Sequence, residues 1–153
     1  GVQRLPGHRV EGLPEVLETG PGHVHPRRLG MATEAVQEVV AKDGKAVVTY
    51  HDPCHAVRGQ GIKSESRDLL NSLPNLEFRE MAEADWCCGG AGSYAVAHYA
   101  LSRQVLDRKM DNLKKTGADI LVTSCPACVI QLSFGVRRHG LDTRVCHISE
   151  IYS

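Results

Sequence analysis

An α/β fold, with a mostly parallel sheet of about four strands and helices on both faces, is the class this sequence predicts. Short β-branched and apolar runs alternate along the chain with longer segments whose apolar residues recur every three or four positions, the pattern of strands joined by helical crossovers. Cysteines follow three of those runs, as groups at the carboxyl ends of parallel strands do when they form a site.

The elements follow in order. Residues 1–30 are rich in Gly and Pro, as at Pro6-Gly7, Pro21-Gly22 and Pro26, with no sustained apolar period; this stretch reads as an irregular linker or the edge of a partial domain. Its histidines, His8, His23 and His25, read as solvated bystanders in a polar segment. Residues 31–153 read as a single domain. Thr33 caps a helix carrying Ala35, Val36, Val39 and Val40, which Gly44 ends. Ala46 to Tyr50 is a buried strand, Ser64 to Leu73 a helix closed by Pro74, and Leu76 to Glu80 a second strand. Ser93 to Lys115 is one long helix, with Val96, Tyr99, Ala100, Val105, Leu106, Met110 and Leu113 on its apolar face and Gly117 beyond its end. Asp119 to Thr123 is a third strand, Ala127 to Arg138 a helix, Arg144 to His147 a fourth strand, and a short helix starts at Ser149.

Composition narrows the function classes. Hydrophobic residues make up 42% and charged residues 24% of 153, the balance of a globular domain with room for one core. Lys and Arg (18) equal Asp and Glu (18), so no charge excess favours nucleic acid or anionic lipid. Apolar runs such as Ile120 to Val122 fall far short of the roughly 20 residues of a membrane-spanning helix. There is no basic segment leading into an apolar one, and the first residue is Gly1 rather than Met; the start reads as an interior cut in a longer polypeptide. The expected location is cytoplasmic, or at the membrane periphery through partners.

The chain has six cysteines. Adjacent Cys87 and Cys88 are poorly placed to bridge each other, and the Cys-x-x-Cys of Cys125 and Cys128 is a ligand or redox spacing. Reduced, metal-binding thiols are therefore expected. The loops Asp52-Pro53-Cys54-His55, Trp86-Cys87-Cys88-Gly89-Gly90 and Ser124-Cys125-Pro126-Ala127-Cys128 are predicted to meet at one rim of the sheet. Thiolates in this number suit zinc or iron–sulfur clusters. Five sulfurs exceed the four that tetrahedral zinc takes, which favours a polynuclear cluster, while one bystander among them leaves a four-thiolate zinc site. Gly89, Gly90 and Gly92 let the backbone approach a bulky anionic centre and turn its amides toward it.

One Cys, then Cys-Cys-Gly, then Cys-x-x-Cys, with 32 residues between Cys54 and Cys87 and 36 between Cys88 and Cys125, resembles the cysteine-rich CCG domain family. That family is found in heterodisulfide reductase and in the iron–sulfur subunits of glycolate and D-lactate dehydrogenases. The resemblance runs from Tyr50 to the C-terminus. The flanks His51-Asp52-Pro53-Cys54-His55, Gln60-Gly61 and Trp86-Cys87-Cys88-Gly89-Gly90-Ala91-Gly92 look most like the glycolate and lactate dehydrogenase branch. It implies a [4Fe-4S] cluster, of noncubane form in the heterodisulfide reductase branch, held by Cys54, Cys87, Cys88, Cys125 and Cys128; some relatives hold zinc in one repeat instead. It also implies two repeats behind a ferredoxin-like module, of which this chain carries one repeat. The implied role is electron transfer from a flavin-containing dehydrogenase subunit, with other iron–sulfur domains of the same subunit as neighbours. The alternatives are disulfide cleavage at the cluster and a structural zinc module.

Around the motif, Cys146 in a Val-Cys-His-Ile run reads as a small buried apolar residue rather than a ligand. His51 and His55 flank Cys54 and are candidates to donate hydrogen bonds to cluster sulfurs or to shuttle protons, or are ordinary loop or core histidines. Trp86 is a candidate to exclude water from the site or plain core, and Arg58 reads as a solvated cation.

Overall fold

A computed structural model describes residues 44–151; the helix expected from Thr33 and the linker at 1–30 lie outside these. A four-stranded, all-parallel sheet forms the centre, in the order β2-β1-β3-β4. Its strands are β1 (Ala46–His51), β2 (Leu76–Phe78), β3 (Ile120–Thr123) and β4 (Arg144–His147). β1 and β3 are the inner strands, paired Val48 to Ile120 through His51 to Thr123. Every residue of β3 is buried, and in β1 all but Val47 are, which explains the continuous apolar, β-branched runs of a sheet covered on both sides.

Helices cover both faces. Ala46, Val48, Tyr50, Ile120, Val122 and Cys146 point to one side, where they meet Leu70 of α1 (Glu65–Asn71) and Ile151 of α5 (Ile148–Ile151). Val47, Leu121 and Val145 point to the other, against Leu106, Met110 and Leu113 of α3 (Tyr99–Thr116) and Leu132 and Val136 of α4 (Pro126–His139). α3 ends in left-handed Gly117 (φ 60°) after Lys114 and Lys115, cations that favour a helix C-terminus. α4 starts on Pro126 directly after Cys125, where a missing N–H costs nothing.

Two elements differ from expectation. The long helix from Ser93 is broken: α2 (Tyr94–Ala97) is separated from α3 at His98, whose backbone (φ −125°, ψ 48°) is not helical. Backbone bonds still run from His98 N–H to the Tyr94 carbonyl and from Ser102 N–H to the His98 carbonyl, so the chain turns without losing pairing. The expected apolar face is consequently divided. Leu106, Met110 and Leu113 are buried, whereas Val96 (84% exposed) and Tyr99 (55%) face solvent. The second difference is a π-helical turn at His55–Gly59 immediately after Cys54, where a plain loop is expected.

Candidate metal centre

Cys54 lies three residues beyond β1 and Cys125 two beyond β3, with Cys128 in the first turn of α4. Cys87 and Cys88 lie within the longer loop that follows β2. All five line one cavity of about 80 Å³ at the carboxyl edge of the sheet, together with His51, Gly90 and Gly92. Cys88 and Cys128 are buried, Cys125 is half-buried, and Cys54 and Cys87 are exposed. The site is thus sealed on the protein side and open at one rim. None of the six cysteines is in a disulfide.

The inner wall is the most tightly built part. The Cys88 and Cys128 sulfurs lie 3.6 Å apart, close to the roughly 3.7 Å that separates two thiolates on one tetrahedral metal with 2.3 Å bonds. The donor atoms of His51, Cys88 and Cys128 all fall within 4.8 Å of one another. The hydrogen bond with Cys128, helped by the His51 imidazole and the Gly90 amide, holds the Cys88 thiol well below the usual range despite burial. Cys128 is displaced upward by its hydrogen bond with Cys88 and by burial.

Three side chains on the same sheet face carry buried polar atoms with no partner among the described residues: Thr49 Oγ1, His51 Nδ1 and Thr123 Oγ1. His51 and Thr123 are cross-strand neighbours. A buried polar atom without a partner is costly, and His51 itself lines the cysteine cavity. Soft thiolates beside this imidazole fit a zinc ion or an iron–sulfur cluster.

Each cysteine loop is tethered. Arg67 of α1 grips Asp52 with two bonds (3.0 and 2.7 Å) and Glu80 with two more (both 2.7 Å), joining the segments after β1 and β2; these carboxylates raise its already high pKa. Asp52 N–H also donates to the Ala84 carbonyl (3.0 Å). Ser66 and Ser124 meet through the Tyr50 hydroxyl (3.0 and 2.9 Å), which fixes the residue preceding Cys125. Gly89 (φ 84°) follows the cysteine pair. Its carbonyl accepts the Ser102 hydroxyl (2.7 Å), and its N–H donates to the Cys87 sulfur (3.3 Å), as backbone amides turned toward an anionic centre would. A Cβ on Gly90 would lie 2.8 Å from Gln131 Cβ, so α4 packs directly on the loop backbone.

The neighbouring residues sort themselves. Cys146 is on the opposite face of the sheet, against Val122 and Ile151, and burial raises its thiol to about 12. His51 is buried and His55 exposed. Trp86 neither covers the site nor joins the core: it is 49% exposed, with the Arg108 guanidinium stacked 4.4 Å from its ring centre. Arg58 is exposed. Sequence reasoning missed Lys109, which is 2% exposed behind the Cys87-Cys88 loop. Its signal was the helical spacing, three residues after Leu106 and four before Leu113, which puts it on the apolar face.

Comparison with known proteins places residues 48–133 in register with the CCG family, described as Cysteine-rich domain. The chain is 39% identical over 114 residues to a probable glycolate oxidase iron-sulfur subunit of Bacillus subtilis, covering 73% of this chain and 26% of that protein. It is 35% identical over 119 residues to a subunit of the fumarate reductase (CoM/CoB) of Methanothermobacter marburgensis, covering 77% and 24%. To lactate utilization protein A of Oceanobacillus iheyensis it is 34% identical over 107 residues, covering 70% and 44%. The chain thus spans between a quarter and just under half of these relatives.

Proposed function

The chain belongs to the cysteine-rich CCG domain family, and on that footing we propose that it is an iron–sulfur electron-transfer domain of a flavin-linked 2-hydroxy acid dehydrogenase. The observation that carries this reading is the single cavity lined by Cys54, Cys87, Cys88, Cys125 and Cys128: five thiols are one more than a zinc ion takes and suit a polynuclear cluster. In the proposal these five hold a [4Fe-4S] cluster. Such a cluster supplies reversible one-electron storage, matched to a flavin that releases, one at a time, the two electrons of a 2-hydroxy acid oxidised to its 2-oxo acid.

The chain's own residues support this role. The exposed Cys54 and Cys87 bring one edge of the site to the surface, where an electron has a short path to a partner. Trp86, Tyr94, Val96 and Tyr99 place exposed apolar surface on the segments flanking Cys87 and Gly92, suited to docking another subunit or domain. Names of relatives point to glycolate and lactate metabolism, which suggests a flavin-containing subunit as donor and further iron–sulfur domains as neighbours. Among the described residues no helix is long and apolar enough to cross a membrane, and a cytoplasmic location is part of the proposal.

A second reading, cluster-based cleavage of disulfides, is favoured by the likeness to a reductase subunit whose name specifies CoM/CoB and by the open rim of the site. Addition of a small heterodisulfide to the anaerobically loaded, reduced chain separates the two. The electron-transfer reading predicts an electron paramagnetic resonance spectrum unchanged in g-values; a new signal formed only with the disulfide would establish substrate binding at the cluster and overturn it.

A further inference from the structure

Lys109 is the least expected residue of the fold. It sits on the buried face of α3 and is 2% exposed, yet none of the ion pairs among the described residues includes it. Its Nζ donates to the backbone carbonyls of Glu83 and Ala84. The Glu83 carboxylate is occupied by Arg108 and by Asn112 (3.0 Å), residues on either side of Lys109 in the same helix. A buried ammonium without a carboxylate partner is a large cost that folds tolerate when an anion is close by.

Its surroundings identify that anion. The two carbonyls belong to the loop that carries Cys87 and Cys88, and Lys109 lines a cavity of about 280 Å³ together with Trp86 and Cys87. Burial pulls its ammonium down to about 8. A cluster held by thiolates carries net negative charge and gains one more on reduction. We propose that Lys109 is a positioning residue whose charge, buried behind the Cys87-Cys88 loop, offsets that of the metal centre and favours its reduced form. The inference rests on the iron–sulfur reading and adds to it a residue outside the cysteine motif.

The test is a potentiometric titration of the anaerobically loaded full chain, comparing wild type with Lys109→Gln and Lys109→Arg. Glutamine keeps a donor for the loop carbonyls and removes the charge; arginine keeps the charge. The expected result is that Lys109→Gln lowers the midpoint potential by the equivalent of at least a tenfold change in the reduction equilibrium, 59 mV for one electron, while Lys109→Arg stays within a third of that shift. If glutamine loses the cluster and arginine retains it, charge is again the requirement. Unchanged potential in Lys109→Gln, or equal loss of the cluster in both variants, would show a purely structural clamp and overturn the proposal. Absence of iron from the wild type would instead count against the iron–sulfur reading.

Discussion

Replacing Cys88 by serine is expected to strip the chain of its metal while leaving the fold in place. Cys88 is buried, its sulfur lies 3.6 Å from that of Cys128, and serine has nearly its volume. The fold loses the difference between a buried thiol and a buried hydroxyl, about 1–2 kcal/mol. The centre loses much more. Structural zinc sites with four ligands bind with apparent energies of about 10–16 kcal/mol, so one thiolate carries roughly 3 kcal/mol, about a hundredfold in retention. Metal content after anaerobic gel filtration, read beside circular dichroism, separates the two effects. Cys146→Ala is the control. Its site is on the other face of the sheet, so it is expected to soften the core by about 1 kcal/mol and keep a full complement of metal.

Gly89→Ala is expected to be the most damaging single-methyl change in the site. At φ 84° an L side chain costs about 1–2 kcal/mol. The added Cβ would also stand 2.5 Å from the Ser102 backbone oxygen, which belongs to a helix and cannot swing aside. Relieving that contact means separating the Cys87-Cys88 loop from α3 and losing the Ser102 to Gly89 hydrogen bond, an overpacking cost of about 1–3 kcal/mol. The sum, about 2–5 kcal/mol, is a large part of a small domain's stability. Metal retention should fall with it, because the displaced loop carries two of the five thiols. Gly92→Ala offers the contrast: φ is 46°, with no atom within 4 Å of the added Cβ, so only the backbone cost of about 1–2 kcal/mol remains. Urea midpoints of both variants check the difference.

Much of this was legible in residue order. β1 to β4 appear where short apolar or alternating runs stand between helical periods, and α4 ends at Gly140 (φ 61°). The cysteine motif was legible for a further reason: parallel strands put all their carboxyl ends on one edge, so positions after β1, β2 and β3 converge even though they are far apart in sequence. What escaped notice depends on tertiary contacts. Neither Pro nor Gly marks the break at His98; it becomes visible only because Ser102 must reach the Gly89 carbonyl while Val96 and Tyr99 remain outside the core. The π-helical turn after Cys54 likewise has no local signature. Lys109 was hidden because lysine ordinarily marks a solvent face, and here the partners that keep it inside are main-chain carbonyls, which carry no residue-specific signal. Trp86 escaped for the opposite reason, a large aromatic held near the surface by stacking on Arg108.

The most direct test of the central claim is elemental analysis of the chain purified without exposure to air, combined with its visible spectrum. Five thiols around one iron–sulfur centre predict brown protein with broad absorption, about four iron and four acid-labile sulfide per chain, and only traces of zinc. Colourless protein with one zinc per chain and no sulfide would contradict it.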